Sequence, residues 1–213
     1  MFEIFLFVNP IGIYCYDTEV LIKQAINELN IDTSFHFIPI TNTEVIKHDI
    51  IRRKKDGQKA IDIPQYTIAA FQTLRIYHAI KFEYGNKKAR YYLIKLQQAL
   101  NRDFNVYSEK LQQEIIKKLN LNFKRLKDPK ISKYIDDSIE RDKQLAKKSK
   151  VYNIPTTVIY NESGNYNGIM LEGLVAHDKL IRLFKNDSRL IDEKKQPTAN
   201  VSSVSSGCHL RLI

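Results

Sequence analysis

The chain opens on a run in which nearly every position is apolar, Phe2-Glu3-Ile4-Phe5-Leu6-Phe7-Val8, and the run stops at Asn9-Pro10. A short dense run closed by turn residues is the pattern of a buried strand. From Thr18 the period changes. Leu21/Ile22, Ala25/Ile26 and Leu29 recur every three to four residues, while Glu19, Lys23, Gln24 and Glu28 take the opposite face. This is an amphipathic helix. Asn30-Ile31-Asp32 interrupts it, and Thr33–Ile40 returns as a strand rich in Phe and Ile. Strand, helix, strand predicts a βαβ unit with parallel strands.

The middle of the chain keeps the helical period. Ile68, Phe71, Leu74 and Tyr77 follow Pro64; Tyr92/Leu93, Leu96 and Ala99/Leu100 mark a second segment over Arg90–Asn101; Leu111, Ile115 and Leu119 follow Ser108, which is placed as an N-cap. Asp128-Pro129 supplies a cap and a proline at a first helical position, and the helix after it ends in Lys147-Lys148-Ser149-Lys150, which suits the helix dipole. Strand chemistry resumes at Thr156–Tyr160, passes a turn-forming stretch Asn161-Glu162-Ser163-Gly164-Asn165, and returns over Asn167–Leu171. A last amphipathic helix covers Ala176–Phe184. The order is βαβ, a helical block, then ββα: an α/β architecture with a mixed sheet. Residues 1–63 and 151–186 are expected to form one domain, 64–150 a helical insertion in it, and 187–213 a polar, mobile tail, with Val201, Val204, Leu210 and Leu212 as the alternative of an edge strand or docking segment.

Composition narrows the function classes. No stretch reaches the roughly 18 uninterrupted apolar residues of a membrane span. The N-terminal run carries Glu3, has no basic lead and reaches Asn9-Pro10 without a small-residue cleavage site, so it reads as a strand rather than a secretion signal. Two cysteines, Cys15 and Cys208, fit a reducing cytosol better than a disulfide-stapled domain. Five histidines, at 36, 48, 78, 177 and 209, show no metal-ligand spacing, so neither metal nor cofactor is expected. Lys+Arg 34 against Asp+Glu 24 gives a net charge of +10, which favours acidic partners in general. The basic residues are scattered over helix faces, and Arg52-Arg53-Lys54-Lys55 reads as solvated; no nucleic-acid motif accompanies them. Tyr14, Tyr16, Tyr77, Tyr91 and Tyr92 are read as core rather than as a stacking or hydroxyl set.

Two segments carry a resemblance. Phe7-Val8-Asn9-Pro10-Ile11-Gly12-Ile13-Tyr14-Cys15-Tyr16 is a strand, a turn, and a cysteine just before a helix. Val151-Tyr152-Asn153-Ile154-Pro155-Thr156-Thr157 closes a helix, presents a proline and begins a strand. In that order, over roughly residues 1–186, they resemble the DsbA-like branch of thioredoxin-fold proteins. The resemblance implies that Gly12 and Cys15 occupy the two ends of a Cys-x-x-Cys motif, leaving Gly12-Ile13-Tyr14-Cys15 as a degenerate redox site. It also implies that Pro155 is cis, so that Ile154, Pro155 and Thr156 border a peptide groove. Within that branch the first strand and its turn, with Asn9-Pro10 where the family has Asp-Pro, resemble those of the YjbH/SpxH adaptors of Gram-positive bacteria, although their His- and Cys-rich N-terminal segment has no counterpart in this sequence. That likeness implies a cytoplasmic, non-catalytic adaptor that binds an Spx-like regulator and promotes its degradation by ClpXP.

Dithiol exchange needs an exposed low-pKa thiolate to attack and a second thiol to resolve the mixed disulfide. Gly12 offers no nucleophile, and Cys15 stands where a resolving thiol is shielded. A structural Cys15 is therefore favoured over a redox-sensing monothiol. The alternative function is a thiol-disulfide oxidoreductase or glutathione-dependent enzyme that uses a single cysteine.

Overall fold

In the computed structural model of the chain, residues 1–57, 62–103, 105–161 and 168–185 are described, together with the backbone of 209–212. β1 (Phe2–Val8), α1 (Cys15–Leu29) and β2 (Thr33–Pro39) form the βαβ unit, with β1 and β2 parallel and Phe2 opposite Thr33. β3 (Thr156–Asn161) lies antiparallel on the other side of β1, and β4 (Ile169–Glu172) antiparallel to β3. The backbone of β5 (His209–Leu212) pairs antiparallel with β4, giving the order β2-β1-β3-β4-β5. At 209–212 the backbone forms the edge strand that is the alternative to a mobile tail; the rest of that segment and Cys208 lie outside the described residues, as does most of the turn expected after Asn161.

β1 can lie inside the sheet, between β2 and β3, because its sequence tolerates burial. Ile4, Leu6, Phe7 and Val8 are wholly enclosed, and Phe2 meets Phe184 of α7 (His177–Phe184) edge-on at 5.3 Å. Glu3 and Phe5 alternate onto the other face, where Phe5 stacks on His36 at 4.5 Å. The helical insertion holds α3 (Ile63–Asn101), α4 (Glu109–Lys118), the short α5 (Phe123–Leu126), a 3₁₀ turn over Pro129–Ile131 and α6 (Ser132–Lys148). Ser108 caps α4, its Oγ accepting from Leu111 N at 3.1 Å, and Asp128 caps the 3₁₀ turn. The two middle helices expected from the periodicity are the two arms of α3, which meet at a kink at Gly85, where φ of 83° and ψ of 169° lie outside helical space. Tyr77 and Tyr92 are fully buried, as the sequence suggests, whereas Tyr91 is exposed.

One helix goes beyond the periodic pattern. α2 (Thr43–Lys55) lies within residues 1–63. Asn42 caps it, its Oδ1 accepting from Val45 N at 2.9 Å. Its buried residues Val45, Ile46, Asp49, Ile50 and Arg53 follow helical spacing. Two of them are charged, which hides the apolar stripe from a hydrophobicity count and makes Arg52-Arg53-Lys54-Lys55 read as solvated. Arg53 is in fact buried.

Candidate functional site

The degenerate motif sits in the loop from Asn9 to Tyr14, between the end of β1 and the first residue of α1. Asn9 is buried and organises the turn. Its side-chain oxygen accepts from Ile11 N at 3.3 Å, and its carbonyl accepts from Gly12 N at 3.0 Å. The same carbonyl and that of Pro10 accept from Gln97 Nε2 at 3.1 and 3.3 Å. The Ile11 carbonyl accepts from Arg53 Nη2 at 2.7 Å and the Gly12 carbonyl from Asn101 Nδ2 at 3.1 Å. Ile13 N donates to Asp49 Oδ1 at 3.0 Å. A loop taken out of water must find partners for its peptide groups. Here four consecutive carbonyls find them on side chains of α2 and α3.

Those side chains are themselves joined. Asp49 Oδ2 accepts from Arg53 Nε at 2.7 Å and from the Tyr66 hydroxyl at 2.5 Å, and that hydroxyl accepts from Asn9 Nδ2 at 3.1 Å. Burial, with the Asp49 carboxylate beside it, pushes the Tyr66 hydroxyl well above its ordinary pKa, so it is a neutral donor. The Arg53 guanidinium also lies 5.5 Å over the Tyr66 ring.

Cys15 is the first residue of α1 and is 1% exposed. Its Sγ accepts from Asn9 N at 3.3 Å. A helix N-terminus favours a thiolate, but burial dominates and the nearby Asp49 adds to it, so the thiol is pushed far up and stays protonated at neutral pH. Gly12 is required by space rather than by backbone conformation: a Cβ there would lie 2.8 Å from Cys15 Sγ and 2.9 Å from Asn9 Cβ. The Tyr14 side chain points elsewhere. Its hydroxyl donates to Asp56 Oδ2 at 2.6 Å, and its pKa is pushed up to about 12 by partial burial and that bond.

The second predicted segment is placed by β3. The Ile154–Pro155 peptide bond is cis, and Ile154, Pro155 and Thr156 are buried. The Pro155 carbonyl accepts from Gly173 N at 2.7 Å, and Thr156 Oγ1 donates to the Asn153 carbonyl at 2.5 Å. The Ile154 carbonyl accepts from Arg52 Nη1. One helix, α2, therefore reaches both segments: Arg52 touches the proline segment, while Asp49 and Arg53 hold the motif loop. No local motif marks Asp49, Arg53, Tyr66, Gln97 or Asn101 as site residues. Only the buried charges at the helical spacing of α2 could have pointed to the first two. Among the described residues, no group of three or more His, Cys, Asp or Glu side chains is placed to hold a metal ion. No helix among them is long and apolar enough to cross a membrane.

The fold that carries this site is similar to that of solved structures. A periplasmic thioredoxin-like protein from Salmonella enterica serovar Typhimurium matches with a TM-score of 0.58 at 15% identity, over 86% of this chain and 82% of that one. The thiol-disulfide exchange protein alpha-DsbA2 from Wolbachia pipientis matches with a TM-score of 0.56 at 16% identity, over 89% and 81%. Proteus mirabilis ScsC in a compact conformation matches with a TM-score of 0.57 at 14% identity, over 90% and 85%. None of the curated proteins matches the chain. The likenesses give a DsbA-like thioredoxin fold with a mostly helical insertion. The model of the family described as Thioredoxin matches residues 5–181, and the chain belongs to that family.

Proposed function

We propose that the chain is a binding protein on a redox fold rather than a dithiol oxidoreductase. The observation that carries this is the state of Cys15: sealed from solvent, protonated, hydrogen-bonded from Asn9 N, and opposite a glycine where a second thiol would stand. Thiol exchange needs an accessible thiolate and a resolving partner, and this motif offers neither. What persists is a loop held by α2 and α3 beside a cis-proline segment, where an extended peptide would take the Ile154 carbonyl by displacing Arg52. The finer reading is a cytoplasmic adaptor that binds an Spx-like regulator and delivers it to ClpXP. It rests on the resemblance of the first strand and its turn at Asn9-Pro10 to those of the YjbH/SpxH adaptors.

The second reading, a thiol-disulfide oxidoreductase or a glutathione-using enzyme with one cysteine, is favoured by the names of structural neighbours such as the thiol-disulfide exchange protein of Wolbachia pipientis. Two measurements separate them. Site-resolved alkylation should leave Cys15 unmodified in the native chain and modify it at the free-thiol rate after denaturation. Insulin reduction and glutathione conjugation should stay at background. Turnover in either assay that is lost in Cys15→Ser establishes the enzyme reading. The adaptor reading further expects the chain to retain an Spx-like regulator and to speed its degradation by ClpXP; degradation at the same rate with and without the chain overturns it.

A further inference from the structure

β2 is the edge of the sheet among the described residues, pairing only with β1. Hydrogen bonds at its ends fix which way its peptides face. Phe2 N donates to the Asp32 carbonyl at 3.0 Å, and Ile40 N donates to the Val8 carbonyl at 2.9 Å. In a parallel ladder a residue's N–H and C=O point to the same side, and the side alternates along the strand. Even-numbered residues of β2 therefore serve β1, and Thr33, Phe35 and Phe37 face away from it. The Phe37 carbonyl agrees, since it accepts from the Tyr77 hydroxyl of α3 at 3.1 Å. No described backbone group pairs with the outward peptide groups of Thr33 and Phe35 or with the Phe37 N–H.

Edges are ordinarily guarded by lysine or proline on the strand itself. β2 has no lysine, and its proline, Pro39, comes only at its end. Instead a groove of about 500 Å³ runs beside Phe35–Ile38, walled by α3 and α6 and rimmed by Lys23, Lys81, Lys87 and Arg90. Two carboxylates face these four cations. Glu19 takes both Lys23 and Arg90 at 2.7 Å, and Asp142 lies 3.8 Å from Lys81. Arg90 lies 4.0 Å over the Phe35 ring and keeps a buried Nη2 without a hydrogen-bond partner. An open ladder edge asks for an extended backbone, and the surplus of positive charge asks for negative side chains.

We infer that the β2 edge is a second binding surface, which takes an extended acidic peptide segment of a partner protein as an added strand. It is independent of Cys15 and of the proline segment. Fluorescence anisotropy on the full chain tests it, with two labelled octapeptides in which Val alternates with Glu or with Lys. The Glu peptide should bind saturably at about 0.15 M salt, and the Lys peptide at least tenfold more weakly. Phe35→Ala removes the ring, and Phe35→Pro removes the outward N–H as well while sparing the β1 ladder. The proline variant should bind about fivefold more weakly than the alanine variant. Lys87→Glu, on an exposed side chain, should weaken the Glu peptide and leave the fold unchanged. If Phe35→Pro does not fold, hydrogen exchange decides on the unmodified chain: the Glu peptide should slow the Phe35 and Phe37 amides. Equal affinity for the two peptides, no saturable binding, or unchanged exchange at both amides overturns the inference. So does a dimer of the chain that protects those amides in place of the peptide, which would assign the edge to a second copy.

Discussion

At the scale of single residues, Gly12 and Cys15 explain each other. The glycine leaves room for the Cys15 sulfur and for Asn9, and the sulfur in turn takes a backbone N–H. Gly12→Ala should lower stability by about 1–3 kcal/mol, because a methyl group meets two atoms below contact distance; a urea melt checks this. Gly12→Cys has a different outlet. An S–S bond of about 2.04 Å with ordinary angles puts one Cβ roughly 3.0 Å from the opposite sulfur, close to the 2.8 Å found here. This variant should form an intramolecular disulfide on air oxidation, seen by mass spectrometry as the loss of two hydrogens. A stable Gly12→Cys dithiol that resists oxidation would contradict that geometry. The same geometry argues that one substitution suffices for a disulfide at the motif, whereas burial of the natural Cys15 thiol opposes its reaction.

At the scale of elements, the pairing of α3 with α6 holds a buried titratable couple. His78 Nε2 lies 3.6 Å from Asp142 Oδ2, with Lys81 and Arg141 nearby and Ser138 Oγ 2.9 Å from His78 Nδ1. Burial first, then the cations, hold His78 down at about 3; burial raises Asp142 to about 6 against the pull of Lys81 and Arg141. The signs oppose. Folded Asp142 keeps a proton that the unfolded chain has lost, so its contribution fades as pH rises from 3.8 to about 6. Folded His78 stays neutral where the unfolded chain takes up a proton, so its contribution is full above 6.5 and fades as pH falls toward about 3. The two offset each other between about pH 4 and 6. Asp142→Asn should remove the first and expose the second, so the unfolding free energy from urea melts should fall steadily below pH 6.5, by roughly 2–3 kcal/mol near pH 4.5. A flat profile for that variant would show that His78 does not titrate this way. At the bend in α3, a Cβ on Gly85 would have no other atom within 4 Å, so Gly85→Ala should cost only backbone strain, about 1–3 kcal/mol in a thermal melt.

At the scale of the whole molecule, α2 and the helical insertion are tied to the sheet by polar groups as well as by packing. Asp49 and Arg53 of α2 and Tyr66, Gln97 and Asn101 of α3 hold one loop at the end of β1. Asp49→Ala leaves Arg53 buried without that carboxylate and should destabilise by roughly 3–5 kcal/mol. It should also free the loop, so native-state alkylation of Cys15 should rise sharply before global unfolding seen by circular dichroism. Loss of stability with Cys15 still sealed would place the holding force in packing alone. This dependence also explains which parts of the site are legible in the sequence. Gly12-Ile13-Tyr14-Cys15 and Pro155 are visible as local punctuation. The side chains that hold them come from 36 to 102 residues away, and they look like solvated helix faces until the helices are docked.

The sequence by itself determined the elements and their order. Strand and helix periods are local properties of adjacent residues, so βαβ, helical block and ββα could be read directly, as could the missing thiol at Gly12. α2 escaped because charges occupy its inner face, and a hydrophobic period cannot register a helix that buries an ion pair. Only the tertiary structure decided the state of the surviving groups. Burial, more than the helix terminus it begins, sets Cys15 as a protonated thiol; Arg53 is a structural cation because Asp49 lies beneath it; and the β2 edge is open because no described strand covers it. Each of these depends on what distant segments bring within a few ångströms, and no local pattern carries that information.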